Sequence, residues 1–166
     1  ESELGRGASF HVALPCVEDA PQESEAAPAP ERAITGTETI LIAEDEPSVR
    51  SASRTALKRL GYSVLEAADG DAALRAATEH QGPIALLLTD VIMPKMNGRA
   101  LADALRRTRP DLRVLFTSGY ADHAIVERGV LEAGVAFLAK PYTSQELGEK
   151  VRETLDAPAG LGGPSA

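Results

Sequence analysis

The chain has one cysteine, Cys16, no tryptophan and only 4% aromatic residues. A single thiol rules out an internal disulfide framework, so a reducing, cytoplasmic setting is expected. With so few rings, a core must be built from Ala, Leu, Val and Ile. A hydrophobic fraction of 43% over 166 residues supplies enough of them for one domain of ordinary size. No apolar run approaches the roughly 20 residues of a membrane span, and no signal peptide is visible. A basic stripe is missing too. Of the net charge of −8, residues 1–33 carry −5 (seven acids against Arg6 and Arg32), which leaves −3 for the rest. Direct contact with DNA or RNA is therefore not expected. The first residue is Glu1 rather than Met, so the chain reads as a piece of something longer, in which a membrane anchor stays open.

What is present is organised around LLLTDVIMPKMNG, residues 86–98. A run of aliphatics stops at an acid, Asp90, and a loop with Met93-Pro94 and Asn97-Gly98 follows. A central parallel strand ends this way when it delivers a carboxylate to the carboxyl edge of a sheet.

Along the chain, residues 1–16 contain a glycine turn and then alternation, with Phe10, Val12 and Leu14 on one face. One strand cannot fold alone, and its orphan edge offers a template for a second copy. Residues 17–36 are rich in Pro, Ala and Glu and read as an extended acidic linker. From Thr37 strands and helices alternate regularly. Strands are predicted at 39–44, 62–67, 84–89, 112–117 and 135–139. Val49, Ala52, Ala56, Leu57 and Leu60 share a helical stripe that Gly61 ends. Ala72, Ala73, Ala76 and Ala77 form a second stripe. Leu101, Ala104 and Leu105 follow Asn97 as N-cap, a short helix follows Asp122, and the last helix carries Leu147, Val151 and Leu155. Five strands each followed by a helix imply an α/β fold, a doubly wound parallel sheet with helices on both faces. Residues 158–166 read as a disordered tail.

In such a sheet, ligands bind beyond the strands' carboxyl ends. The first strand ends at Glu44, Asp45 and Glu46, the third at Asp90, the fourth at Thr117 and Ser118, and the fifth at Lys140-Pro141. Taken singly, each has a plain alternative: Asp45 or Glu46 before Pro47 as helix-start chemistry, Thr117 as a loop hydroxyl, Lys140 as a surface charge, Phe137 as core. Together they mean more. Carboxylates crowded at one edge repel one another unless a cation is present, and a hard divalent ion with oxygen ligands such as Mg²⁺ resolves this.

The set EDE at 44–46, DVIMPKMNG at 90–98, TSG at 117–119 and FLAKP at 137–141 resembles the response-regulator receiver domain of two-component signalling, over residues 37–157. The resemblance implies a single flavodoxin-like sheet of strand order 2-1-3-4-5. It makes Asp90 the phosphoacceptor, with Asp45, Asp90 and the backbone carbonyl of Ile92 binding Mg²⁺ and Glu44 acting through water. Lys140 would pair with the phosphoryl oxygens, Thr117 would hydrogen-bond to them, and Lys140-Pro141 would be cis. Phe137 would be the switch residue, turning inward on phosphorylation and altering the face of the fourth helix, fifth strand and fifth helix. Glu44 departs from the commoner Asp, and Phe137 has no hydroxyl, so its signal must be one of packing. GRGASFHVALP, residues 5–15, resembles the last glycine-rich box and closing strand of a histidine-kinase ATP-binding domain, which makes residues 1–16 a remnant of that domain.

Together the two resemblances imply the C-terminal receiver of a hybrid sensor histidine kinase, with the kinase core in cis and a histidine phosphotransfer protein as partners. The fragment itself offers no membrane contact. His11, His80 and His123 sit in no phosphodonor helix and no ATP-binding core is present, so self-phosphorylation from ATP is not expected, while catalysis of its own aspartyl phosphorylation and dephosphorylation is. A stand-alone single-domain regulator and a phosphate-independent interaction module are the competing readings. A metal-dependent phosphatase would need a second acid two residues after Asp90, where Ile92 stands.

Overall fold

Alternation of largely apolar strands with amphipathic helices produces the expected layers. The computed structural model describes Ser2–Glu3, Gly7–Ala8, residues 34–119 and residues 135–157. Residues 1–31 make one unit, in which Ser2–Glu3 pairs antiparallel with Gly7–Ala8. The rest of the predicted strand over 8–14, the helix after Asp122 and the tail lie outside the described residues.

The second unit, residues 32–166, holds β1 (Thr39–Ala43), α1 (Pro47–Arg59), β2 (Ser63–Ala67), α2 (Gly70–Glu79), β3 (Leu86–Asp90), α3 (Gly98–Arg106), β4 (Arg113–Ser118), β5 (Ala136–Ala139) and α4 (Ser144–Asp156). The five strands are parallel in the order β2-β1-β3-β4-β5, the flavodoxin-like order expected. In the centre, β1 and β3 are apolar on both faces because helices cover both. Leu41, Ala43 and Leu87 face one layer with Ala73 and Ala77 of α2 and Leu101, Ala102 and Leu105 of α3. Ile40, Ile42, Leu86 and Leu88 face the other, with Ala56 and Leu57 of α1 and Leu147, Val151 and Leu155 of α4. Among the described residues no helix is long and apolar enough to cross a membrane.

Local signals set the helix ends. Pro47 opens α1, and Gly61, at φ 95, follows its C-cap Leu60. Asp69 caps α2 and Asn97 caps α3 through their side chains, and Thr143 with Glu146 forms a reciprocal capping box on α4. One stripe differs from expectation. Ala52 is exposed and Ser53 is buried, so the inward face of α1 runs through Val49, Ser53, Ala56, Leu57 and Leu60. A small polar side chain can take an inward position when its hydroxyl has partners, and Ser53 donates to the Val49 carbonyl at 2.9 Å.

Candidate functional site

Three strand ends converge at the carboxyl edge. β1 runs directly into Glu44, whose N–H continues the sheet by donating to the Ala67 carbonyl at 3.2 Å. This holds the Glu44 side chain inward, 4% exposed, while Asp45 faces solvent. Asp90 ends β3, half-buried. Lys140, just after β5, is held by its N–H donating to the Ser118 carbonyl at 2.7 Å. Its Nζ lies 2.6 Å from Glu44 Oε2 and 2.6 Å from Asp90 Oδ2. The other Asp90 oxygen, Oδ1, accepts the Ile92 N–H at 3.1 Å.

One carboxylate oxygen from each of Glu44, Asp45 and Asp90 lies within 4.8 Å of the others. Three carboxylates and one ammonium leave an excess of two negative charges, which suits a hard divalent cation with oxygen ligands. Burial pushes the Glu44 carboxyl above its ordinary range, and Asp90 adds to this, against the pull of Lys140. For Lys140, burial alone would lower the ammonium's pKa, but the bonds to Asp90 and Glu44 outweigh it and raise it. Lys140 thus stays charged while its two partners share it.

The remaining predicted residues fall around this centre. Thr117 stands opposite Asp90 in register, buried, its hydroxyl donating to the Thr89 carbonyl at a long 3.4 Å. Ile92 is on the rim, its side chain 49% exposed. Phe137 pairs in register with Phe116 and packs, half-buried, against the α2–α3 layer. The Lys140-Pro141 bond is cis. Glu46 is the N-cap residue of α1 but makes no side-chain cap, and the Asp45 carboxylate belongs to the cluster rather than to helix-start chemistry.

A family model described as the response regulator receiver domain matches residues 40–152. The chain belongs to the response regulator receiver family. Membership makes it a phosphoacceptor-type domain of two-component signalling. This receiver is 36% identical over 163 residues to the sensor kinase CckA of Brucella abortus (strain 2308), covering 94% of this chain and 17% of that kinase, so it spans under a fifth of that relative's length. To the response regulator receiver protein CpdR of the same organism it is 33% identical over 118 residues, covering 71% of this chain and 97% of CpdR. The solved receiver domain of the hybrid histidine kinase CckA is 40% identical, with a TM-score of 0.60, covering 71% of this chain and 99% of that one.

Sequence reasoning did not find every residue that builds the receiver's acidic edge. Arg50 of α1 donates to the carbonyls of Glu44 at 2.5 Å and of Asp45 at 3.3 Å, tying the acid loop to the helix. An arginine early in a helix gives no signal of this, since its partners are backbone atoms. Gly98 is needed for close approach, because a Cβ there would lie 2.1 Å from the Asp90 carbonyl oxygen. The Asn97-Gly98 pair did mark that turn in the sequence.

Proposed function

We propose that this receiver takes a phosphoryl group from a phosphohistidine onto Asp90 and switches partner interactions in consequence. One observation carries the reading: the Asp90 carboxylate is held between an ammonium and a backbone N–H, beside two further acids. Asp45, Asp90 and the carbonyl of Ile92 would hold Mg²⁺, which supplies charge neutralisation at the phosphoryl oxygens. Glu44 acts through water in this scheme, because its two oxygens already accept from Lys140 at 2.6 Å and from the Glu46 N–H at 3.4 Å.

In the transfer, a bond forms between an Asp90 oxygen and phosphorus as the P–N bond of the donor breaks, and its electron pair stays on the departing imidazole. Lys140 moves its donors from Asp90 to the phosphoryl oxygens, where the negative charge now lies. Asp90, as an acyl phosphate, no longer needs the ammonium. Thr117 gives up only a long hydrogen bond to Thr89 when it turns to a phosphoryl oxygen, so its release costs little. Phe137 then turns inward and alters the outer face of β5 and α4, biasing an equilibrium that exists beforehand.

Residues 1–16 are the closing strand of a kinase domain in this reading, 17–36 the linker, 37–157 the receiver and 158–166 a tail. Support comes from the CckA alignment, which covers 94% of the chain, a share that residues 37–157 alone cannot supply. The partners would be a kinase core in cis and a histidine phosphotransfer protein, in the cytoplasm, without direct nucleic-acid or membrane contact. A stand-alone regulator is the second reading, favoured by the near full-length match of CpdR.

Intact mass after incubation with acetyl phosphate and Mg²⁺ tests the central step. One phosphoryl group should appear on the chain and none on Asp90→Asn. No gain on the wild type, or an equal gain on the variant, overturns it.

A further inference from the structure

Helix α1 is tied both to the acid loop and to the segment that carries Lys140. Its Arg50 holds the backbone of Glu44 and Asp45. One turn further on, the Oγ of buried Ser53 lies 3.1 Å from the hydroxyl of Tyr142, two residues beyond Lys140. Ser53 has a single hydroxyl proton and it is directed at the Val49 carbonyl, 2.9 Å away. The Tyr142 O–H is then the donor and Ser53 Oγ the acceptor, which satisfies both hydroxyls at once. The partners are 89 residues apart in sequence, so this bond is a tertiary tie rather than a turn.

Among the described residues, few hydrogen bonds anchor the short segment from which Lys140 reaches its acids. Its own N–H is tied to Ser118, and the next polar tie along the chain before the capping box of α4 is Tyr142 on Ser53. We propose that Ser53 and Tyr142 are positioning residues for phosphoryl transfer: their hydrogen bond sets where Lys140 stands relative to Glu44, Asp45 and Asp90, with α1 as the common frame. The proposal rests on the phosphoacceptor reading above and adds residues to it.

A group that acts by placing Lys140 should affect the transition state, where the ammonium meets developing charge, more than metal binding, which depends on the acids. Tyr142→Phe keeps the ring and loses the donor. At saturating acetyl phosphate and Mg²⁺ it should slow phosphorylation of Asp90 about fivefold, as expected when a hydrogen bond of ordinary net strength is lost. The Mg²⁺ dissociation constant, followed by NMR titration of the Ile92 amide, should stay within about twofold, well short of the tenfold change that a lost ligand-shell partner brings. In the metal-free protein the Lys140 side-chain Cε–Hε resonance should shift as well. Ser53→Ala should give the same slowing by removing the acceptor.

Epistasis separates placement of Lys140 from general support. In a Lys140→Met background, Tyr142→Phe should have no further effect on the rate, because the group it places is gone. Equal rates for wild type, Tyr142→Phe and Ser53→Ala overturn the proposal. So does a Tyr142→Phe penalty that persists in full without Lys140, or one that comes with matching loss of Mg²⁺ affinity. If the wild type takes up no phosphoryl group at all, the phosphoacceptor reading fails first and takes the positioning role with it.

Discussion

Lys140 is shared by Glu44 and Asp90, and both acids are largely shielded from water, with side chains 5% and 13% exposed. Removing the cation from such a cluster leaves two desolvated carboxylates facing each other. Lys140→Met should therefore lower stability by about 3 kcal/mol without divalent ions. Urea unfolding at neutral pH measures this, and Mg²⁺ should restore more stability to the variant than to the wild type, since it stabilises by binding the folded state. A loss below about 1 kcal/mol would place the pair with solvent-screened surface bridges. Glu38 behaves in the opposite way to Glu44. Burial pushes its carboxyl up, but its own backbone N–H, Arg152 and Thr37 outweigh this and hold it below its ordinary 4.5. Its folded value lies under its unfolded one, so its contribution is present above pH 4.5 and fades as the pH falls through the folded value. Glu38→Gln should flatten the acid limb of stability against pH, seen in urea midpoints on either side of pH 4.5. An unchanged limb would assign acid sensitivity elsewhere.

Helix ends are closed partly by arginines from other elements. Neither α2 nor α4 has a basic residue in its last turn. Arg109, beyond α3, donates to the carbonyls of Ala77 at 2.8 Å, His80 at 2.9 Å and Gly82 at 2.9 Å, and so closes the C-terminal end of α2. Arg113, at the start of β4, does the same for α4 through Thr154 and Ala157. A cation there also suits the helix dipole. Arg109→Ala should cost about 2 kcal/mol in urea unfolding, as the loss of charged, part-buried hydrogen bonds does. Arg109→Lys should recover little, because one ammonium cannot span three carbonyls as the guanidinium fork does. Full rescue by Lys would show that charge alone mattered. Of the N-terminal caps, Asn97 was legible in the sequence, while Asp69 and Thr143 emerged from the structure. These C-terminal closures were not legible, since the donor and the helix it serves are separated along the chain.

At the scale of the whole receiver, the last linker residues before Thr37 pack on the domain. The Tyr62 hydroxyl donates to the Ile34 carbonyl at 3.2 Å, and the Gly36 N–H donates to the Leu60 carbonyl at 3.0 Å. The Ile34 side chain also lies over Gly148 of α4, where a Cβ would meet it at 3.5 Å. Gly61 makes room for this crossing, because a Cβ there would sit 2.7 Å from the Gly36 carbonyl oxygen. These residues join the end of α1 to α4, on the side of the sheet away from the phosphoacceptor. A chain beginning at Ile34 should be about 2 kcal/mol more stable than one beginning at Thr37, from two hydrogen bonds and one half-buried aliphatic side chain. Chemical denaturation of the two compares them directly. Equal stability would mean that residues 34–36 only lie along the surface.

The order of strands and helices, the apolar centre of the sheet and the acids, hydroxyl and lysine at its edge could all be read from residue order. Each depends on short-range periodicity or on where a strand must end. The sharing of Lys140 between Glu44 and Asp90, the inward turn of Ser53 toward Tyr142 and the arginine closures depended on the packed fold. Those contacts join atoms tens of residues apart, and no local pattern states which backbone oxygen a long side chain will reach once the helices have settled on the sheet.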